Sequence, residues 1–140
     1  MTDGGAATAE VLRATTAVGE QYYLAASAVG LTVQEARLLY ILSINPSNML
    51  GLTAALKVPK STMTGLVARL EDAGLVVREQ DPRDRRHLLT TPTPAGRAVA
   101  KSFAADLATR VSGVLSGLGA GERAELADIL NEVLRGIEPA

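Results

Sequence analysis

Residues 60–93, KSTMTGLVARLEDAGLVVREQDPRDRRHLLTTPT, restrict the possible folds more than any other part of the chain. They read, in order, as a helix, a glycine stop, a strand, a charged tip and a second strand. Met63, Leu66, Val67 and Leu70 recur at helical spacing and form a single apolar stripe that must face a core. The opposite face carries Ser61, Thr62, Gly65 and Arg69, small residues beside one long cation. Small polar groups at a helix N-terminus suit close approach to phosphate, because the free N–H groups and the dipole there favour anions. Gly65 costs about 1 kcal/mol relative to alanine inside a helix, so it serves either a close approach or an indifferent exposed position. Gly74 fits the left-handed residue that ends a helix, and Leu75 is placed for the hydrophobic contact that accompanies it.

Residues 75–79 and 87–91 are rich enough in Leu, Val and Thr to form short strands. Between them lies QDPRDRR, with Pro82 fixing one backbone angle and the alternating signs of Asp81, Arg83, Asp84, Arg85 and Arg86 suggesting internal pairing. An arbitrary hairpin of this kind has a solvated charged tip. Directly after a helix with a small polar face, the sharper reading is a hairpin whose arginines reach DNA beside a helix in the major groove. The negative potential of a narrow minor groove draws in arginine, and an aspartate two residues earlier can hold the guanidinium in one pose.

These residues resemble the recognition helix and wing of the MarR family of bacterial transcription regulators, dimeric winged helix-turn-helix proteins. The resemblance rests on Leu52, Leu56 and Val58, then STMTGLVARLEDAGLVVR, then DPRDRRHLLTTPTPAGR. The order D-x-R-D-x-R, apolar strand, T-x-x-G-R is specific, whereas an S-T-x-T helix start alone is not. It implies groove contacts from Ser61, Thr62, Thr64, Gly65 and Arg69 and a minor-groove contact from Arg86, oriented by Asp84; Lys60 is expected to add a phosphate contact, and Arg83 and Arg85 further wing contacts. The chain departs from the pattern at Pro59, in place of a polar cap; at Lys57, where a turn glycine is common; and at Pro92, which interrupts the second wing strand.

A chain of 140 residues is long enough for one domain with a real core and too short for two ordinary ones. With one Phe, three Tyr and no Trp, that core must be built from Ala, Val and Leu on helices. No apolar run approaches the length of a membrane span, and MTDGGAATAE lacks the pattern of a signal peptide. The absence of cysteine excludes a disulfide framework, a thiolate zinc site and a thiol redox switch. A cytoplasmic protein is expected. The net charge of −1 is unevenly spread: residues 57–101 hold nine Lys or Arg against five Asp or Glu, and the remainder holds five against ten. A basic segment on an acidic body fits one lobe that meets phosphate and another that does not.

Residues 1–7 read as a frayed tail. From 8 to 29, Val11, Ala14, Val18, Tyr22, Ala25 and Val29 keep helical spacing up to a stop at Gly30. Thr32 and Glu35 form a capping-box pattern opening a second helix, residues 33–44, so apolar that it must be central. Asn45-Pro46 stops it. A short third helix, residues 48–57, carries Leu52, Ala55 and Leu56 toward the reading helix and positions it across the Val58-Pro59 turn. Thr93-Pro94 starts a fifth helix reaching residue 116, with Val99, Phe103, Leu107, Val111, Val114 and Leu115 on one side. A break over 118–121 precedes a last helix striped by Leu126, Ile129, Leu130, Val133, Leu134 and Ile137.

The expected fold is therefore mainly α with a small β-wing: a winged-helix lobe over about residues 32–93 and dimerisation helices over about 8–30 and 94–137. Such a lobe is too small to cover the terminal stripes, and a two-fold dimer would both bury them and set two reading helices one duplex turn apart.

For other chemistry the sequence offers little. His87 is the only histidine and reads as a surface strand residue, without partners at metal spacing. No nucleophile motif, G-x-G-x-x-G or P-loop is present, so neither an enzyme, a metal nor a cofactor is expected. The resemblance implies a pocket between the two lobes for a small aromatic or lipophilic effector. Tyr22, Tyr23, Arg37 and Tyr40 are its candidate polar handles, although each residue taken alone reads as tyrosine at the dimer interface or arginine paired on the surface. The expected function is sequence-specific binding of double-stranded DNA by a homodimeric regulator, a repressor on a pseudo-palindromic operator. The alternative is a winged helix that binds another protein and has no operator of its own.

Overall fold

The computed structural model describes residues 3–137. Six helices and one hairpin follow in the order α1 (Asp3–Ala28), α2 (Val33–Ile44), α3 (Met49–Leu56), α4 (Lys60–Asp72), β1 (Val76–Gln80), β2 (Leu88–Pro92), α5 (Pro94–Val114) and α6 (Ala120–Ile137). The fold is mainly helical with a two-stranded antiparallel wing, as the sequence implies.

The stops and starts follow local chemistry. α1 and α4 end alike, on a glycine with positive φ (Gly30 at 74°, Gly74 at 75°). In each case the next residue donates back over the turn, Leu31 N–H to the Ala26 carbonyl and Leu75 N–H to the Leu70 carbonyl. Thr32 and Glu35 close a reciprocal capping box on α2, and Asn48 and Thr93 cap α3 and α5 through their side chains.

Four expectations need correction. Residues 3–7 are helical rather than frayed: Ala6, Ala7 and Ala9 are strong helix formers, and the Thr8 hydroxyl donates to the Gly4 carbonyl. Of the expected tail, only residues 1 and 2 lie outside the described residues. Both strands sit one residue later than their composition suggests, because the Gly74–Leu75 stop uses the first apolar residue to cap α4. Pro92 does not interrupt β2 but ends it, buried opposite Val76, a position that needs no N–H donor. Ala120 and Gly121 belong to α6, with the Glu122 side chain accepting from the Gly119 N–H at its start.

Two cores result. Leu38, Leu39 and Leu42 of α2 meet Leu52, Leu56, Met63, Leu66, Val67, Leu70 and Val76 beneath the wing. A second, smaller core joins Ala25, Ala26, Ala36 and Phe103 where α1, α2 and α5 cross. The whole predicted stripe of α4 is buried. A lone bridge from Ser47 to Thr90 ties the α2–α3 loop to the wing, with Thr90 N–H donating to the Ser47 carbonyl at 2.9 Å.

Gly96 fixes how the wing meets α5. A Cβ there would lie 1.9 Å from the Leu75 carbonyl oxygen, so only glycine lets the first turn of α5 press on the wing root. The Thr93 hydroxyl and N–H donate to the Gly74 and Leu75 carbonyls beside it. This explains the glycine of the T-x-x-G-R pattern.

Candidate nucleic-acid interface

The solvent side of α4 carries the residues expected to read DNA. Lys60, Ser61, Thr62, Thr64 and Arg69 lie on it together with the half-buried Gly65. No side chain caps the start of α4, where Pro59 stands, so its first-turn N–H groups face outward with the helix dipole behind them. Thr64 donates its hydroxyl to the Lys60 carbonyl at 2.9 Å, which leaves its oxygen as an acceptor. Arg69 leans back over Gly65: a Cβ at Gly65 would meet Arg69 Nη1 at 3.5 Å and nothing else. Its Nε lies 3.8 Å from Oε2 of Glu35, a carboxylate only 12% exposed that also accepts from Thr32 N–H.

The left-handed Lys57 (φ 54°, ψ 42°) turns the chain from α3 into α4, doing with a lysine what glycine does at lower cost.

At the wing tip the backbone folds back on itself. Asp81 N–H donates to the His87 carbonyl, Asp84 N–H to the Asp81 carbonyl and His87 N–H to the Asp84 carbonyl. Arg83 N–H donates to Asp81 Oδ1 and Arg86 N–H to Asp84 Oδ1. The Arg86 guanidinium grips Asp84 in a fork, Nε to Oδ1 at 2.9 Å and Nη2 to Oδ2 at 2.8 Å. The side-chain bond to Arg86, then the Arg86 backbone N–H, hold the Asp84 carboxyl below its usual range, and the same bond raises Arg86. Arg83, Arg85 and Arg86 are all exposed to solvent.

Between α3, the start of α4 and the wing runs a groove of about 540 Å³, lined by Asn48, Lys60, Arg78, Arg86 and His87 among others. Of these, the sequence points only to Lys60 and Arg86. Strand parity is the signal that finds Arg78: it shares a face with buried Val76, so it turns toward the body, where it pairs with Glu71 at 3.6 Å. Asn48 and His87 carry no such signal, being brought to the groove by the tertiary fold.

A second cavity, about 370 Å³, opens between the lobes and is lined by Tyr22, Arg37, Tyr40, Phe103 and Leu107 among others. The rings of Tyr22 and Phe103 stand 6.3 Å apart at 52°. Tyr22, Arg37 and Tyr40, among the expected handles, thus converge. Tyr23 does not: it lies one residue, or about 100° of helix, away from Tyr22 and is 64% exposed. Arg37 has no ion-pair partner among the described residues, contrary to the reading that pairs it on the surface.

α6 buries no residue of its own; Ile129, Leu130, Val133, Leu134 and Ile137 are exposed, as are Val11 and Leu12 on α1 and Val114 on α5. Among the described residues no helix is long and apolar enough to cross a membrane, and no group of three His, Cys, Asp or Glu could hold a metal.

Residues 29–87, from the end of α1 to the tip of the wing, match the model of the MarR family. Rv2887 of Mycobacterium tuberculosis, a MarR family protein solved with salicylic acid, is 30% identical; the match covers 88% of this chain and 92% of that one, with a TM-score of 0.73. The chain belongs to the MarR family. The same Rv2887 solved with DNA superposes at a TM-score of 0.77 and 28% identity, over 90% of this chain and 95% of that one. Rv1404 of M. tuberculosis matches over 100% of this MarR-family chain and 98% of its own, at 27% identity and a TM-score of 0.81. The transcriptional activatory protein BadR of Rhodopseudomonas palustris is 39% identical over 79 residues, 54% of this chain. That match spans 45% of BadR, somewhat under half its length.

Proposed function

We propose that this chain is a sequence-specific DNA-binding transcription regulator that acts as a homodimer on a pseudo-palindromic operator. The observation that carries the reading is the pairing of two surfaces on one side of the lobe. Lys60, at the start of the helix that carries the small polar face, lines one cationic groove together with a wing arginine locked onto its own aspartate. In this reading Ser61, Thr62, Thr64, Gly65 and Arg69 enter the major groove, Arg86 with Arg83 and Arg85 serves the minor groove, and Lys60 and Arg78 hold backbone phosphate. Rv2887, solved with DNA, supports DNA as the partner.

The dimer is inferred from α6, whose apolar stripe has no cover within the described residues. A two-fold pairing through α1, α5 and α6 removes it from water. The inter-lobe cavity is read as the effector site: an aromatic ring fits beside Tyr22 and Phe103, and the Arg37 guanidinium, which no carboxylate among the described residues engages, suits an acid. Rv2887, solved with salicylic acid, supports this ligand class. An effector that prefers a dimer whose reading heads are wrongly spaced lowers DNA affinity by that preference. Repression is the sign implied by the family resemblance, while BadR is named as an activator; operator position relative to the promoter, rather than the fold, decides between them. No enzymatic role and a cytoplasmic location accompany this reading.

The test is selection of bound sequences from random DNA, followed by gel-shift titration of the recovered duplex over a range of salt, with and without salicylate. A single enriched, two-fold-related site with steep salt dependence is expected, and salicylate is expected to weaken it in the wild type but not in Arg37→Ala. Failure to enrich any sequence, with no salt-dependent binding, overturns the DNA reading.

A further inference from the structure

The groove between α3 and the wing is lined by one ionisable side chain that the DNA reading leaves unused. His87 lines it beside Lys60, Arg78 and Arg86, with its side chain 55% exposed. Its Nε2 lies 3.6 Å from Asp84 Oδ2, the oxygen that Arg86 Nη2 also holds at 2.8 Å. We propose that His87 is a further phosphate-contacting residue of this groove and that its protonation couples DNA binding to pH. The inference rests on the DNA-binding reading and adds a regulated component to it.

The argument starts from the backbone. His87 N–H donates to the Asp84 carbonyl and the His87 carbonyl accepts from Asp81 N–H, so the residue is pinned at both ends where the tip joins β2. Its ring therefore enters the groove from a fixed root rather than from a loose loop. Imidazole is the side chain that as a class changes charge near neutrality, and the chain has one histidine and no cysteine.

The charges facing it set the sign. On the wing tip the ring faces Asp84 and Arg86, and Arg78 from β1, itself paired to Glu71, and Lys60 from α4 line the same groove. The groove residues of α3 and its cap, Asn48, Met49 and Thr53, carry no charge. In the free protein the imidazolium thus meets these cations and one already committed carboxylate. A phosphodiester laid along the groove neutralises those cations and gives the ring an anionic partner, so the bound state holds the proton more tightly than the free state. By linkage, binding takes up a proton and affinity rises as pH falls through the titration of the ring.

The test is a titration of the selected duplex with the full-length protein at constant ionic strength, from about pH 8 to about pH 6, for wild type and His87→Gln. Glutamine keeps a polar donor at the position but cannot be charged. Wild-type affinity is expected to rise by about threefold or more per protomer toward low pH, and the His87→Gln profile to stay flat. A third protein, His87→Lys, is expected to bind at about pH 8 with the tightness that wild type reaches only at about pH 6. A flat wild-type profile, or parallel slopes in wild type and His87→Gln, overturns the inference while leaving the DNA reading intact. Absence of duplex binding at every pH overturns both.

Discussion

Arg86 and Asp84 form a fork in which both carboxylate oxygens are used, at 2.9 and 2.8 Å, although the guanidinium stands almost wholly in solvent. An exposed ion pair contributes little to folding; on the proposed reading, this one holds an arginine in a single pose for DNA. Arg86→Ala is expected to weaken operator binding by more than about tenfold, or about 1.4 kcal/mol. Asp84→Ala is expected to weaken it less, with thermal stability unchanged. Gel-shift titration and a melting curve on each variant decide the matter; equal affinity in wild type and Arg86→Ala would reject the wing contact. The depressed Asp84 pKa fixes the pH behaviour of this pair. Its contribution is present above the ordinary carboxylate range and is lost only as pH falls through the depressed value. The pose is therefore constant across neutrality, where only His87 is proposed to respond.

Lys60 and Arg78 both line the groove, one from the start of α4 and the other from the wing. If each holds a backbone phosphate, Lys60→Ala reduces the slope of log affinity against log salt by about one, with sequence preference unchanged. A changed preferred sequence at an unchanged slope would place Lys60 on bases instead.

Gly96→Ala is expected to cost about 3 kcal/mol or more, because the added Cβ falls 1.9 Å from the Leu75 carbonyl oxygen and two backbones must separate. Gly65→Ala is the control. There the Cβ meets only the flexible end of Arg69, at Nη1 and 3.5 Å, so the fold is expected to keep its stability or gain about 1 kcal/mol. Denaturant melts in which the two variants fell alike would refute this account of Gly96.

Lys57 holds a left-handed conformation without glycine's freedom. Lys57→Gly relieves about 1 kcal/mol of strain and returns part of it as unfolded-state entropy, for a net gain of about 0.5 kcal/mol. A drop in stability in urea melts would show that the lysine side chain compensates its own backbone.

Ile129 and Val133 lie one turn apart on α6, 55% and 49% exposed. The double change Ile129→Asp with Val133→Asp is expected to convert a dimer into a monomer by sedimentation velocity, and to lower operator affinity as the second reading head is removed. A wild type that sediments as a monomer at all concentrations would remove the basis for the two-fold operator.

Much of the interface is legible in the chain because its signals are local. The α4 stripe depends only on helical period, the Gly74 stop on backbone conformation, and the hold of Asp84 on Arg86 on a two-residue spacing at a turn. The rest is set by parity and long-range packing. Arg78 reaches the groove because it shares a strand face with Val76, and it is the packing of the wing on the body that turns this face inward. Adjacency in sequence groups Tyr23 with Tyr22, yet neighbouring helical residues point about 100° apart, which leaves Tyr23 outside the cavity. The need for Gly96 has no local signature, since the carbonyl it accommodates belongs to a residue on the far side of the wing in sequence.

The seat of Gly96 on Leu75 has a mechanical corollary. α5 is clamped to the wing root at its first turn, with no compressible side chain between, and further along the same rod Phe103 and Leu107 wall the inter-lobe cavity. A stiff bar gripped at one end and pushed in its middle cannot absorb the push; it swings. A molecule that wedges the cavity open is therefore expected to carry the hairpin with it, as a crowbar moves its tip.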